Sequence, residues 1–388
     1  MAYQHGVNIT EVNTGSRPLT TVATAVVGLV ATAPGADADA FPLNKPVLIT
    51  DAEAAIGKAG ATGTLAGALR AISDQVRCPI VLVRIADGAN AAEKTANAIG
   101  TITAQGQKTG MQALLAAEAQ LGVKPRIIGA PGLDVQAVTE ALAIVAGKLR
   151  GMAYAAAIGG DVSAAIAYRG AFSARELMLV YPDFYAADAT TGEAVVSYGV
   201  ARVLGLRARI DQEQGWHKTI SNVAVAGVTG ITKDIQFDIQ DPGCEANLLN
   251  AAEVCALVRT SNGFRVWGSR TCSDEPLFAF ESAVRTAQVI RDTIAEGMLW
   301  AIDKPLRPSL AKDIVETING TLRQMKLAGQ IIGGRAWYDA QQNTPDTLAS
   351  GKLAIPYDFT PVPPLENLAL QQRITDTYFA DFAAGVAA

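Results

Sequence analysis

Histidine is nearly absent from this 388-residue chain. His5 and His217 are the only two, which removes most imidazole base chemistry and most histidine metal sites. Cysteine is almost as scarce. Cys78, Cys244, Cys255 and Cys272 have no C-x-x-C spacing, so they read as reduced core residues and not as zinc ligands or disulfides. Charge is thin: 18% of residues are charged against 49% apolar, and the net charge is -5. With no Lys/Arg run, nothing points to direct nucleic-acid binding. A low charge fraction with abundant apolar residues indicates packed bodies, some of whose surface partners cover. No segment approaches the roughly 20 consecutive apolar residues of a membrane span, so no membrane insertion is expected. The longest candidate, 22–31, contains Thr24 and Gly28. No basic region precedes an apolar run at the N-terminus, so no signal peptide is expected and the chain reads as cytoplasmic.

The motifs of phosphate and acyl chemistry are missing as well. Residues 57–63 lack G-x-G-x-x-G spacing, and 106–109 lack the Gly-Lys of a P-loop. There is no G-x-S-x-G elbow, and neither histidine sits in a triad context. Asp183, Asp188 and Glu193 could pair as carboxylates, but turn and capping roles suit them better. The loops 130–132 and 159–161 fall where α/β sheets bind ligands, yet function must be argued from a site and not from a fold. The expectation is no enzyme, no cofactor and no metal, with an unrecognised α/β active site as the competing reading.

What the chain does contain is alternation. Strand-like apolar runs at 22–30, 47–50, 80–85, 126–129, 154–158 and 177–181 are separated by helical patterns at 64–76, 110–121, 135–149, 162–172 and 193–210. Asp134 and Asp161 stand where N-caps are wanted. This predicts a largely parallel α/β sheet. Residues 211–250 are polar and glycine-punctuated, and a domain boundary is placed near 250. Long helices are predicted at 276–302 and 309–327, and strands at 331–338 and 352–360. The fold class is therefore two α/β domains with extended terminal strands: an arm and linker at 1–21, an outer domain at 22–250, a second domain at 251–360, and a linker and strand arm at 361–388.

Two features stand apart. In the run 262–271, Asn262-Gly263 predicts a turn, and the alternation of Phe264, Val266 and Gly268 with Arg265, Trp267 and Ser269 predicts a strand. There a guanidinium could lie by the indole, in a core strand or an assembly surface. The termini are the second feature. Val7, Asn8, Ile9, Thr10, Glu11 and Val12 alternate at one end; Leu368, Leu370, Gln372 and Ile374 alternate with Gln371, Arg373 and Thr375 at the other. Each strand is joined to the folded bodies by a Gly/Pro-containing linker and lacks a local partner, so exchange with neighbouring copies is expected.

The chain resembles the major tail sheath proteins of contractile-tailed temperate phages and is similar to R-type bacteriocin sheaths. The resemblance is carried by 3–12, 41–50, 124–126, 211–219, 227–230, 263–271 and 360–376. It implies stacked hexameric rings around a tail tube protein, joined by arms that complete a sheet in a neighbour's tube-proximal domain. It also implies baseplate and tail terminator partners, a place in the virion tail after assembly in the host cytoplasm, and contraction that drives the tube through the target envelope without nucleotide. A headless bacteriocin or injection system is the alternative within the same reading. Tube-facing candidates are Lys304, Arg307, Lys312, Arg323 and Lys326. Gly263, Phe264, Arg265, Trp267, Gly268, Arg270 and Thr271 are expected to build the platform of the tube-proximal domain.

Overall fold

The computed structural model describes residues 19–188 and 191–377, with Phe379, Phe382 and Gly385. The chain enters with β1 (Val27–Thr32), β2 (Pro46–Ile49), α1 (Ala52–Ile56), α2 (Leu65–Ser73) and β3 (Ile80–Ile85). Next come α3 (Ala91–Ile99), a 3-10 segment (Gly110–Ala116) running into α4 (Ala117–Leu121), β4 (Ile127–Gly129) and α5 (Gln136–Leu149). β5 (Met152–Ala156), α6 (Val162–Arg169) and β6 (Leu177–Tyr181) follow. A hairpin of β7 (Phe184–Ala187) and β8 (Ala194–Ser197) precedes α7 (Gly199–Glu213), β9 (Val223–Ala224), β10 (Gly230–Ile231) and α8 (Glu245–Ala251). β11 (Val254–Thr260) and β12 (Gly263–Trp267) complete the first body.

Nine strands form one sheet in the order β2-β3-β1-β4-β5-β6-β11-β12-β9. The six from β3 to β11 are mutually parallel, and antiparallel strands close both edges. β1, β3, β4 and β6 are buried along their whole length, which is why they read as unbroken apolar runs. α2 and α7 pack one face around Leu69 and Leu204; α5, α6 and α8 pack the other around Val138, Leu142 and Leu249. α7 crosses α2 where Gly205 has no side chain: a Cβ there would lie 2.7 Å from the Ile72 carbonyl oxygen. Asp161 caps α6 through the Ala164 amide at 2.8 Å, as its position predicts. Asp134 does not cap α5. It is buried and accepts the Ala156 amide at 2.6 Å, tying the start of α5 to the end of β5.

The predicted boundary near 250 falls inside this body. β11 lies parallel to β6, with Val254 opposite Leu179, and β12 pairs with β11. The polar stretch that suggested a boundary is an excursion that returns to the same sheet. Residues 263–271 therefore belong to the large body and not to a second domain. The expected helix over 193–210 is likewise split, because 194–197 pair with β7 as β8.

The second body holds α9 (Glu281–Gly297), α10 (Pro308–Leu327), β13 (Ile331–Ala336), α11 (Pro345–Ala349) and β14 (Tyr357–Pro361). Its core is small: Val289, Ile290, Ile318, Leu322, Met325 and Ile331, joined by Trp216 from the large body. β13 and β14 form an antiparallel sheet of two strands. The strand predicted beyond 368 forms no ladder. Residues 365–377 are all exposed, because a strand is defined by a partner and this one has none among the described residues. The candidates Val7 to Val12 lie outside the described residues.

Candidate assembly surfaces and the joint between the bodies

One stripe of α9 is polar and buried against the large body. Glu281, Arg285, Gln288 and Asp292 recur at helical spacing and so share a face. Glu281 accepts the Tyr154 hydroxyl at 2.7 Å and the Arg207 guanidinium at 3.2 Å, with Arg285 Nε at 3.5 Å. Asp211 accepts Arg207 Nε at 3.0 Å and pairs with Arg285. Two guanidiniums and two carboxylates thus neutralise one another at no more than 3% side-chain exposure. Burial alone would push Arg207 toward its neutral form, but Glu281 and Asp211 more than reverse that and hold it charged. Burial, and then the Glu281 charge, raise the Tyr154 hydroxyl far above its usual range, so it stays a donor.

One helical turn past Gln288, whose amide donates to the Gly151 carbonyl at 2.9 Å, Asp292 collects three cations. Arg126 and Arg150 pair with it and Lys124 approaches to 3.6 Å. Lys124 is held below the ordinary lysine range, first by burial and then by Arg126, with Asp292 opposing. An apolar stripe through Phe280, Val284 and Ile290 is legible in the sequence. The polar stripe beside it was missed, although Glu281, Arg285 and Asp292 at i, i+4 and i+11 mark it. Both clusters span the two bodies and fix one on the other.

Assembly surfaces lie farther out. A two-stranded sheet is marginal by itself. The Asn319 amide from α10 brackets Ala336 of β13, donating to its carbonyl at 2.9 Å and accepting its N–H at 2.7 Å. That pairing imitates a neighbouring strand at one residue of the outer edge, where Gly334 has the same parity and no such partner among the described residues. Near this sheet, the chain leaves β14 through Pro363-Pro364. Glu366 then pairs with Arg270 of the large body through two hydrogen bonds, at 2.9 and 2.7 Å. Beyond that clasp Leu368, Leu370 and Ile374 are 66%, 82% and 93% exposed.

The platform residues are tied into the large sheet. Gly263 takes the turn with φ at 96°. Phe264 meets Phe184 edge-on and lies under Arg259, and Gly268 sits against Cys255. Arg265 does not cover the indole. Its guanidinium donates to the Asn222 carbonyl at 2.7 Å, and Trp267 packs edge-on against Phe237. Thr271 is buried and donates to the Phe278 carbonyl, and Arg270 holds Glu366. This run is core plus an anchor for the tail. The five cations proposed to face a tube are all exposed. Lys312 and Arg323, eleven residues apart on α10, share the face opposite Ile318, Thr321 and Met325, and Lys326 lies beside it. Lys304 sits over Trp300, and Arg307 immediately precedes α10. Among the described residues no group of acidic, cysteine or histidine side chains could hold a metal, and no helix is long and apolar enough to cross a membrane.

Family models match most of the chain. The phage tail sheath protein central domain covers 106–272, the phage tail sheath C-terminal domain 273–375, and the N-terminal region of domain III of the tail sheath protein Gp18 covers 24–85. The tail sheath protein of Escherichia phage P2 is 52% identical, with 99% of this chain and 98% of the relative covered. The major tail sheath protein of Serratia phage KSP20 is 44% identical, with 98% of each covered. In fold, the chain is similar to the sheath of the extracellular contractile injection system PVC in its contracted state, with a TM-score of 0.72 at 16% identity, covering 97% of this chain and 99% of that one. The contracted helical sheath of the anti-feeding prophage gives 0.71 at 18%, covering 96% and 99%.

Proposed function

The chain belongs to the phage tail sheath family, and from that membership we propose that it polymerises through exchanged terminal arms into a helical sheath around a tail tube. The chain is a structural subunit of a contractile tail, and the enzyme reading finds no support. The finer reading is ours: stacked hexameric rings, joined at the baseplate and at a terminator, with assembly in the host cytoplasm. No catalytic role is assigned to any residue.

The observation that carries the arm reading is the pairing of an incomplete two-stranded sheet with an exposed, alternating, unpaired tail. The magnitudes decide what must hold the arm. About six backbone bonds at roughly 0.5–1.5 kcal/mol give about 3–9 kcal/mol. Ordering about seven residues costs roughly 7–14 kcal/mol. Backbone pairing alone therefore falls short. Burying Leu368, Leu370 and Ile374 at roughly 1.5–3 kcal/mol each brings the balance near or above zero. Repetition over many linked copies then makes the mesh strong through effective concentration. The joint suits the same task, because its buried charge clusters let both bodies move as one unit while the arms are exchanged. Deleting 367–388 tests this: the chain should stay folded and monomeric, with neither tubes nor rings by negative-stain microscopy. Tubes from the truncated chain would overturn the arm reading.

A further inference from the structure

A groove of about 560 Å³ lies on the second body, between the first half of α10 and the loop that carries α11. Leu306, Ala311, Val315, Tyr338 and Leu348 make its lining mostly apolar. Arg307 and Lys312 stand on its rim, with Glu316. Its size falls in the roughly 300–1,000 Å³ range of cavities that enclose a bound organic group. No part of the described tail of the same chain fills it, since residues 365–377 are exposed and Glu366 is clasped to Arg270 on the other body.

We propose that this groove is the receptor for the aromatic end of the tail of a second copy, with Phe379 and Phe382 as the anchors. This rests on the reading that the arm leaves its own subunit, and it assigns the arm a second, side-chain contact beyond the strand. Phe379 and Phe382 are 72% and 65% exposed and their ring centroids lie 6.3 Å apart, so they present one apolar unit. The charges match. After Arg373 the sequence has Asp376 and Asp381 and no further cation, facing a rim with two cations and one carboxylate. The 13 residues from Glu366 to Phe379 span up to about 43 Å when extended. Aromatic anchors in pockets, ringed by charge, concentrate binding energy in few residues. Such an anchor lowers the effective freedom of the strand between Glu366 and Phe379 and so favours its pairing.

The test places one reactive thiol in the groove of the full-length chain, as Ala311→Cys. The native cysteines are all buried and leave the background low. Maleimide labelling is timed on unassembled chain and on sheath-only polymer, with circular dichroism as the folding control. Labelling should slow at least tenfold in polymer. In polymer carrying Phe379→Ala and Phe382→Ala as well, it should return to within about twofold of the unassembled rate. Equal labelling in polymer and free chain would show an empty groove and overturn the proposal while leaving the arm reading intact. Protection that survives in the double-alanine polymer, or that needs added tube, would assign the groove another occupant and also overturn it. A full-length chain that never polymerises would overturn both.

Discussion

Replacing Glu281 with Gln should destabilise the chain far more than any exposed ion pair could. The substitution keeps the shape and lets the side chain still accept the Tyr154 hydroxyl, so it isolates the charge. In the native joint Arg207 and Arg285 face Asp211 and Glu281, and every one of the four side chains is essentially excluded from solvent. Without the Glu281 charge, two guanidiniums share one carboxylate in a buried site. Breaking such a pair costs about 3–5 kcal/mol, whereas an exposed pair contributes about 0–1 kcal/mol. At about 1.4 kcal/mol per factor of ten, the folded-to-unfolded ratio falls by roughly two to three and a half orders of magnitude. Urea titration followed by circular dichroism checks this, with the midpoint lowered and the slope unchanged. A second variant, Glu281→Gln with Arg285→Met, restores neutrality with a similar volume and should regain part of the loss, since contacting sites couple. A single variant within 1 kcal/mol of the parent, or a double variant worse than the single, would refute the view that charge pairing holds the bodies together.

Asp134 sets a pH signature. Burial pushes its carboxyl up to about 6 from an ordinary 3.8, against the pull of the Ala156 amide. The folded state thus binds this proton more tightly than the unfolded one. Its contribution to stability is fully present below about pH 3.8 and is lost as pH rises through about 6, a change of about 3 kcal/mol. Asp134→Asn should therefore gain on the parent between pH 4 and 7 in parallel urea titrations, and curves that stay parallel would contradict the assignment. Reversing Arg323 and Lys326 together to Glu, both exposed on α10 and outside the groove, should weaken co-assembly with tube and spare sheath-only polymers. Sheath-covered tubes at parental yield, counted by microscopy, would remove that face of α10 from the tube contact.

The parallel sheet was legible because its strands are buried on both faces and leave unbroken apolar runs such as Ile80–Ile85 and Leu177–Tyr181. The long helices were legible from their apolar stripes. The boundary was not, because local polarity cannot tell a linker from an excursion: 211–250 looks like a domain edge yet leads into β11 at its seat beside β6. The joint was hidden for a related reason. A Glu or Arg on a helix is usually solvated, and only tertiary contact shows that Glu281 and Arg285 find Arg207 and Asp211 from a distant helix. Arg265 and Trp267 share strand parity, but Asn222 offers the guanidinium a carbonyl and Phe237 offers the indole an edge, so the expected stack does not form. The tail reads as an alternating strand in the sequence, and among the described residues no ladder includes it.

Where that partner lies can be measured directly. Chains carrying Ile332→Cys on β13 would be mixed with differently tagged chains carrying one cysteine at Leu368, Leu370, Gln371, Gln372, Arg373 or Ile374, then polymerised and oxidised. The account predicts disulfide-linked dimers of mixed tag, formed only in polymer and rising and falling with period two along the tail. Polymers that yield no mixed dimers at any tail position, or links confined within one chain, would contradict the claim that each tail completes the sheet of a neighbour.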